Sequence, residues 1–144
     1  MIQNEHQYKI TQTKLKELKQ DWAKLDINPA NLSPRLLQAE KRGIQVLIER
    51  LQAEIVEYDN LKQKKTLIKV NSIEELAIAL IKARIMAGMT QKELASKIGV
   101  QEQQIQRYEE NKYASASLSR LAEISRALEI RFVNPVEFQT SLFS

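Results

Sequence analysis

Side chains that make paired hydrogen bonds are concentrated in one short segment of this 144-residue chain, Gln101–Lys112, which holds four glutamines, one arginine and three glutamates. A glutamine amide can bond adenine at two atoms, and an arginine guanidinium can do the same with guanine. A glutamate carboxylate can accept a hydrogen bond from cytosine. These residue types are suited to binding through hydrogen bonds rather than to breaking covalent bonds.

Catalytic chemistry has little support in the sequence. The chain has one histidine, His6, and no cysteine. One histidine without a cysteine cannot build the usual nucleophile–base pair or a zinc triad. The carboxylates lie among Lys and Arg at positions typical of a solvated helix face, and no Gly-rich phosphate loop is found. We therefore expect no enzyme activity, no metal and no cofactor.

Two short helices joined by a tight turn are predicted to position the polar segment. The first helix has Leu94 and Ile98 four residues apart on its buried face. Gly99 ends that helix where the chain must adopt a positive φ, and Ile105 and Tyr108 face the core from the second helix. An ordinary helical hairpin does not need these residue types at these offsets. The predicted core of this helix-turn-helix is Leu94, Ala95, Ile98, Gly99, Val100, Ile105 and Tyr108.

From about Ser72 to Ile130, or 59 of the 144 residues, the chain resembles the Cro/lambda-repressor-like family, also called the xenobiotic-response-element type of regulators. The motif carries the resemblance, together with the helices predicted at Leu80–Met89 and Ser117–Leu128. Known members are repressors and antitoxins of toxin–antitoxin operons. The resemblance implies a five-helix domain that inserts its third helix in the major groove of double-stranded DNA, usually as a dimer.

The chain departs from the family pattern at both ends of the third helix. Family members usually begin this helix with Ser or Thr, whereas this chain has Gln101, a poor N-cap. They usually have Gly after the helix, whereas this chain has Asn111, which tolerates the left-handed conformation. The start of the preceding helix is better marked, because Thr90 and Glu93 fit a capping box, as do Ser72 and Glu75.

The resemblance also implies which residues contact DNA. The family reads bases from the first two turns of the third helix, and helical geometry turns the side of that helix opposite Ile105 and Tyr108 outward. Phosphate contacts, which position without reading sequence, come from the start of the second helix and the flanks of the third. The predicted base contacts are Gln101, Glu102, Gln103 and Arg107. The predicted phosphate contacts are Gln91, Lys92, Gln104 and Lys112.

Net charge gives no support to DNA binding by this motif. The chain carries +4, but residues 1–70 hold 13 Lys and Arg against 9 Asp and Glu, and residues 71–144 hold 9 of each. The segment Gln101–Lys112 sums to −1, from two basic and three acidic residues. We therefore expect modest non-specific affinity. The basic run near Lys62, Lys64 and Lys65 is either a solvated linker or a phosphate contact.

A long helical hairpin is predicted before the motif, so the fold class is all-α. Its first arm carries Tyr8, Leu15, Leu18, Trp22 and Leu25 at the spacing of a narrow seam. Turn-formers follow from Asp26 to Pro34, and Ser33 caps the second arm. We divide the chain into a coiled-coil-like hairpin at 1–65, a linker at 66–71 and a DNA-binding domain with a C-terminal extension at 72–144. Two β-leaning stretches, 66–70 and 130–133, either pair with each other or pair across a dimer.

The hairpin leaves two functional classes open. Its second arm carries Leu47 beside Ile48 and Ile55 beside Val56, a stripe wider than one partner helix requires. The first class is a cytoplasmic transcriptional regulator, a repressor or an antitoxin, that pairs through this hairpin as a homodimer and reads a pseudo-palindromic operator. The second is an interaction protein, toxin-binding or scaffolding, whose helix-turn-helix is structural. A hairpin that folds back on its own domain leaves a monomer, or a dimer through the fifth helix.

Overall fold

The computed structural model describes residues 1–27, 32–64 and 66–142 of the chain. These residues form six helices and no strand: α1 at Glu5–Ile27, α2 at Pro34–Lys62, α3 at Ile73–Met86, α4 at Gln91–Ile98, α5 at Glu102–Glu110 and α6 at Leu118–Ala127. The all-α class, with a long helical hairpin before the helix-turn-helix, is confirmed. The predicted turn falls partly on residues 28–31, and Lys65 of the basic run also lies outside the described residues.

The hairpin is held by a seam along its whole length. The Ser33 side chain accepts a hydrogen bond from the Leu36 amide at 3.2 Å, with Pro34 at the first helical position, as predicted. Trp22 lies in the seam, with the Lys41 ammonium 5.3 Å from the centre of its ring. Nearer the chain start, the rings of Tyr8 and Tyr58 lie 5.0 Å apart. Aromatic and aliphatic burial in this seam keeps the two long helices together.

Helices α3–α6 surround a core that also includes the end of the hairpin. Leu94, Ile105 and Ile124 have no exposed surface, and they share one hydrophobic cluster with Ile2 and Leu61 from the hairpin side. A salt bridge of 3.2 Å between Lys82 of α3 and Glu57 of α2 crosses the same junction. The hydrophobic core therefore extends across the predicted domain boundary at 66–71.

The C-terminal part of the domain differs from the expectation drawn from the resemblance. The described residues of this domain form four helices, and residues 131–142 are exposed without helix or strand. Glu129 takes a positive φ of 53° just after α6. Pro135 disfavours helix at the residue before it, and the exposed side chains here pack against no core that would fix a fifth helix. The two β-leaning stretches do not pair within the described chain.

Candidate nucleic-acid interface

The turn between α4 and α5 has the geometry that the sequence predicts. Gly99 adopts the left-handed conformation at φ 73° and ψ 34°, and the Val100 amide donates to the Ala95 carbonyl oxygen at 2.9 Å. Leu94, Ala95, Ile105 and Tyr108 are buried, whereas Ile98 and Val100 are half-buried against the core. This packing fixes the angle at which α5 leaves the turn.

The caps of α4 and α5 differ as predicted. Thr90 accepts a hydrogen bond from the Glu93 amide at 3.0 Å, and the Glu93 carboxylate accepts one from the Thr90 amide at 3.2 Å, so the capping box is complete. At the start of α5, the Gln101 side chain makes no capping hydrogen bond. The Gln104 amide instead donates to the Gln101 carbonyl oxygen at 2.9 Å, and the Gln101 side chain caps none of the first amides of α5.

Four of the residues predicted to contact DNA meet at one shallow groove on the surface of α5. Its lining includes Val100 and Tyr108 at the base, and the polar side chains Gln101, Gln103, Gln104, Arg107 and Arg120 around it. Gln103 and Arg107 are exposed, while Glu102 is half-buried at the side of the helix. The apolar residues of α5 point inward, so its outer surface presents amide and guanidinium groups together.

Arg120 was missed by the sequence reasoning. It lies in the first turn of α6, where its amide donates to the Ser117 hydroxyl at 3.1 Å and its guanidinium pairs with Glu123 at 3.1 Å. Packing of α6 beside the motif brings this guanidinium to the groove. Because that neighbour relation depends on tertiary structure, no local sequence signal could have pointed to it.

The four residues predicted to contact phosphate differ in their exposure and surroundings. Lys92 is exposed at the start of α4, and it lines a second shallow groove with Met89, Glu93, Ser96 and Lys97. Lys112 is exposed after α5, and Gln104 is half-buried at the first groove. Gln91 is different, because its side chain is 5% exposed and donates a hydrogen bond to the Glu109 carboxylate at 2.9 Å. Its side chain therefore faces the interior and not the surface of α4.

A buried ion pair that the sequence reasoning did not identify lies beneath α5. Arg84 of α3 donates from Nε and Nη2 to the two carboxylate oxygens of Glu109, at 2.6 and 2.8 Å, and from Nη1 to the Met89 carbonyl oxygen at 2.9 Å. Arg84 is 3% exposed and Glu109 is 0% exposed. Such a paired, bidentate geometry compensates the desolvation of both charges.

This ion pair changes the charge at the surface of the motif. Because Glu109 is neutralised by Arg84 in the interior, the solvent-facing charges of the segment are Arg107 and Lys112 against Glu102 and Glu110. The outer surface of the segment is thus neutral rather than −1. Modest attraction to a polyanion, with specific contacts carrying the affinity, is still expected.

The turn after α5 corrects one expectation. Asn111 has φ −97° and does not take the left-handed conformation. Instead Lys112 and Tyr113 adopt positive φ, at 54° and 59°. The Asn111 amide group donates to the Ser115 hydroxyl at 3.2 Å, and the Tyr113 ring stacks on Tyr108 with centres 5.5 Å apart. Burial of the Tyr113 side chain thus determines where the chain turns after α5. Burial also raises the pKa of the Tyr113 hydroxyl.

The part of the chain that the structure describes gives no support for a metal site or for a function of His6. It contains no group of three or more His, Cys, Asp or Glu side chains that could hold a metal ion. His6 is exposed near the start of α1. Lys62 of the basic run pairs with Glu5 at 3.4 Å. Among the described helices, none has the length and apolar character needed to cross a membrane.

Comparison with known proteins agrees with the geometry. Residues 80–133 match the model of a helix-turn-helix family, a DNA-binding family rather than a family of enzymes. The match supports a DNA-binding transcription regulator in general. No curated protein and no solved structure shows a significant match to the chain.

Proposed function

We propose that the protein is a sequence-specific, cytoplasmic transcriptional regulator, of repressor or antitoxin type, that places α5 in the major groove of a pseudo-palindromic operator. The observation that carries this proposal is the outer surface of α5. Its apolar side chains are buried, and Gln101, Gln103 and Arg107 stand around one groove where base edges can be reached. Paired hydrogen bonds from these side chains are the chemistry that distinguishes base pairs in the major groove.

Base readout is assigned to the first two turns of α5. Gln101, Glu102 and Gln103 lie at its start, and Arg107 lies one turn later on the exposed side. Arg107 is suited to guanine, the glutamines are suited to adenine, and Glu102 can accept from cytosine. Arg120 extends the same surface from α6.

Phosphate contacts are assigned to Lys92 and the backbone amides at the start of α4, to Gln104 in the first turn of α5, and to Lys112 just after α5. At the start of α4, Gln91 contributes its backbone amide, because its side chain is held by Glu109. The first amides of a helix lack intrahelical partners and carry the positive end of the helix dipole, so they attract a phosphate.

The hairpin is proposed to join two copies of the chain. Leu36, Val46 and Leu47 are 56%, 58% and 45% exposed on α2, although α1 covers the other side of that helix. A second hairpin packed there would form a four-helix bundle and bury these side chains. Two copies would present two α5 helices to the two half-sites of an operator.

The same exposed side chains favour a second candidate function. A partner protein, such as a toxin, can cover Val46 and Leu47 in place of a second copy, and the helix-turn-helix then serves as a scaffold. Selection of DNA separates the two functions, because a scaffold enriches no sequence.

The proposed function is tested by selecting duplexes from a random pool with the full chain, and then measuring affinity for the selected duplex. We expect Arg107→Ala and Gln103→Ala each to weaken binding by roughly 1–3 kcal/mol and to relax preference at one base pair. Arg126→Ala removes an exposed arginine of α6 that does not line the groove, so it serves as the matched control. Wild-type affinity in both test variants would contradict the docking.

The phosphate contacts are tested by the salt dependence of the same binding. Lys92→Ala should weaken selected and unrelated duplexes about equally and flatten the slope of log affinity against log salt by about one unit. An unchanged slope would show that Lys92 is only a solvated lysine.

A further inference from the structure

The first four residues, here called the amino-terminal arm, complete the buried cluster around Arg84 and Glu109. Ile2 is 3% exposed in the hydrophobic core. The Gln3 carbonyl oxygen accepts a hydrogen bond from Arg84 Nη2 at 2.5 Å, and Gln3 Nε2 donates to the Glu109 carbonyl oxygen at 3.1 Å. The arm lies outside the helix-turn-helix match at residues 80–133, yet it bonds directly to the last turn of α5.

Asn4 connects the arm to the start of α4. Its Oδ1 accepts from the Gln7 amide at 2.9 Å, which caps α1, and its Nδ2 donates to Gln91 Oε1 at 3.1 Å. Gln91 in turn donates from Nε2 to the Glu109 carboxylate. The side-chain amides of Asn4 and Gln91 each use one donor and one acceptor. The series of hydrogen bonds from Asn4 through Gln91 to Glu109 therefore has a fixed direction.

These hydrogen bonds connect α4 and α5, the two helices whose relative position and orientation determine the contacts with DNA. The start of α4 is held through Gln91, and the end of α5 is held through Glu109. Hydrogen bonds to base edges tolerate only a few tenths of an ångström in length and a narrow angular range. A shift of α5 against α4 would therefore weaken base readout more than phosphate attraction.

Building on the DNA-binding function proposed above, we infer that the amino-terminal arm is a positioning element of the DNA-reading surface, with Asn4 as its positioning residue. Asn4 itself is assigned no contact with DNA. It acts through Gln91, by holding the amide of Gln91 in the orientation that supports Glu109 and thereby α5.

Two substitutions separate the cap of α1 from the bridge to Gln91. Asn4→Asp keeps an acceptor for the Gln7 amide and is a good N-cap, but its carboxylate faces the Gln91 oxygen. Flipping the Gln91 amide would satisfy Asp at position 4 and turn the oxygen of Gln91 against Glu109, so one hydrogen bond is lost either way. Asn4→Ser also keeps a cap, is too short to reach Gln91, and adds no charge.

Asn60→Asp is the matched control, because Asn60 is an exposed residue of the hairpin and the change adds the same charge. The two measurements are the ratio of affinities for selected and scrambled duplexes, and the NMR chemical shifts of the Gln91 side-chain amide and the Glu109 backbone amide. We expect both Asn4 variants to lower the affinity ratio about fivefold to tenfold, the factor for one buried hydrogen bond. We also expect both to shift the two NMR signals, whereas Asn60→Asp does neither.

The outcomes distinguish this inference from the proposed function. An unchanged ratio in both Asn4 variants overturns the inference, as does an equal loss of affinity for both duplexes. If the wild type enriches no DNA sequence, the proposed function fails, and the arm is then judged by NMR alone. In that case, unshifted Gln91 and Glu109 signals in the Asn4 variants would contradict the inference that the arm positions α4 and α5. Shifted signals in a folded Asn4 variant would support that inference.

Discussion

The two ends of α2 have opposite environments although they belong to one continuous helix. At the end of α2, Tyr58 and Leu61 are 5% and 2% exposed and belong to the hydrophobic cluster of α3–α6. In the first half of α2, Leu36, Val46 and Leu47 stand about half exposed. The last turns of α2 are therefore part of the same folding unit as the helix-turn-helix, whereas the first half contributes only its seam with α1.

This contrast divides the roles within the hairpin. Residues at the junction with α3–α6 are needed for the fold, so changes there should alter stability and DNA binding together. Exposed apolar residues in the first half of α2 add little to the stability of one chain. Changes there should alter association with a partner and leave the folded monomer intact.

The largest effect is expected at the buried ion pair beside the junction. Arg84→Ala leaves the Glu109 carboxylate in the interior without its partner, which costs about 3–5 kcal/mol of the free energy of unfolding. Arg50→Ala is the matched control, because Arg50 is an exposed arginine of α2 that pairs with Glu54 at 3.7 Å. Its loss should cost less than about 1 kcal/mol. Urea unfolding followed by circular dichroism measures both, and equal losses would contradict the contrast.

A second pair of variants compares the same residue type in the last turn and in the middle of α2. Leu61→Ala removes a fully buried side chain and should cost about 2–5 kcal/mol. Leu47→Ala trims a side chain that is 45% exposed and should cost less than about 1 kcal/mol. Unfolding is measured at a protein concentration low enough to keep the chain monomeric, because association would add to apparent stability. A large loss for Leu47→Ala under these conditions would show that the first half of α2 is structural.

Local rules were sufficient to predict the helix-turn-helix. Gly99, the capping box of Thr90 and Glu93, and the inward direction of Ile105 and Tyr108 each depend on residues within a few positions of each other. Helical periodicity and capping chemistry determine such features with little help from the rest of the fold.

Long-range contacts were beyond the same rules. The position of Gln91 at the start of a helix predicts an exposed side chain. Its hydrogen bonds with Glu109 and Asn4 instead hold that side chain in the interior. Arg84 and Glu109 are 25 residues apart, and nothing in either local sequence marks them as a pair. For the same reason, no local pattern indicated that Ile2 and Leu61 belong to the same core as helices α3–α6.

A third prediction concerns the exposed half of α2. Leu47→Glu places a charge on the surface proposed to meet a second copy, and it should weaken dimerisation at least tenfold, or about 1.4 kcal/mol. Gln52→Glu adds the same charge at an exposed position of α2. Gln52 lies five residues beyond Leu47 and six beyond Val46, so helical geometry turns its side chain away from that surface. Light scattering over a range of concentrations measures the change. Deleting the hairpin is a poorer test, because it also removes Ile2, Tyr58 and Leu61 from the core.

Two outcomes would revise the role of this surface. A wild-type chain that stays monomeric at all concentrations would contradict the homodimer. A dimer unchanged by Leu47→Glu would move the interface elsewhere, with the exposed apolar residues of 131–142 as the next region to test.

The smallest effect is expected at high pH, where the junction contains a tyrosine and the first half of α2 contains none. Burial raises the pKa of Tyr58 to about 12, and the neighbouring Glu5 carboxylate, which accepts its hydroxyl at 3.2 Å, adds to the rise. Between about pH 10 and 12 the unfolded chain therefore loses this proton while the folded chain keeps it. The contribution of Tyr58 to the free energy of unfolding is complete below about pH 10, and it falls as pH rises through this window. Tyr58→Phe should make that fall shallower in urea unfolding at pH 9, 10 and 11. A slope equal to that of the wild type would show that this hydroxyl is not linked to folding.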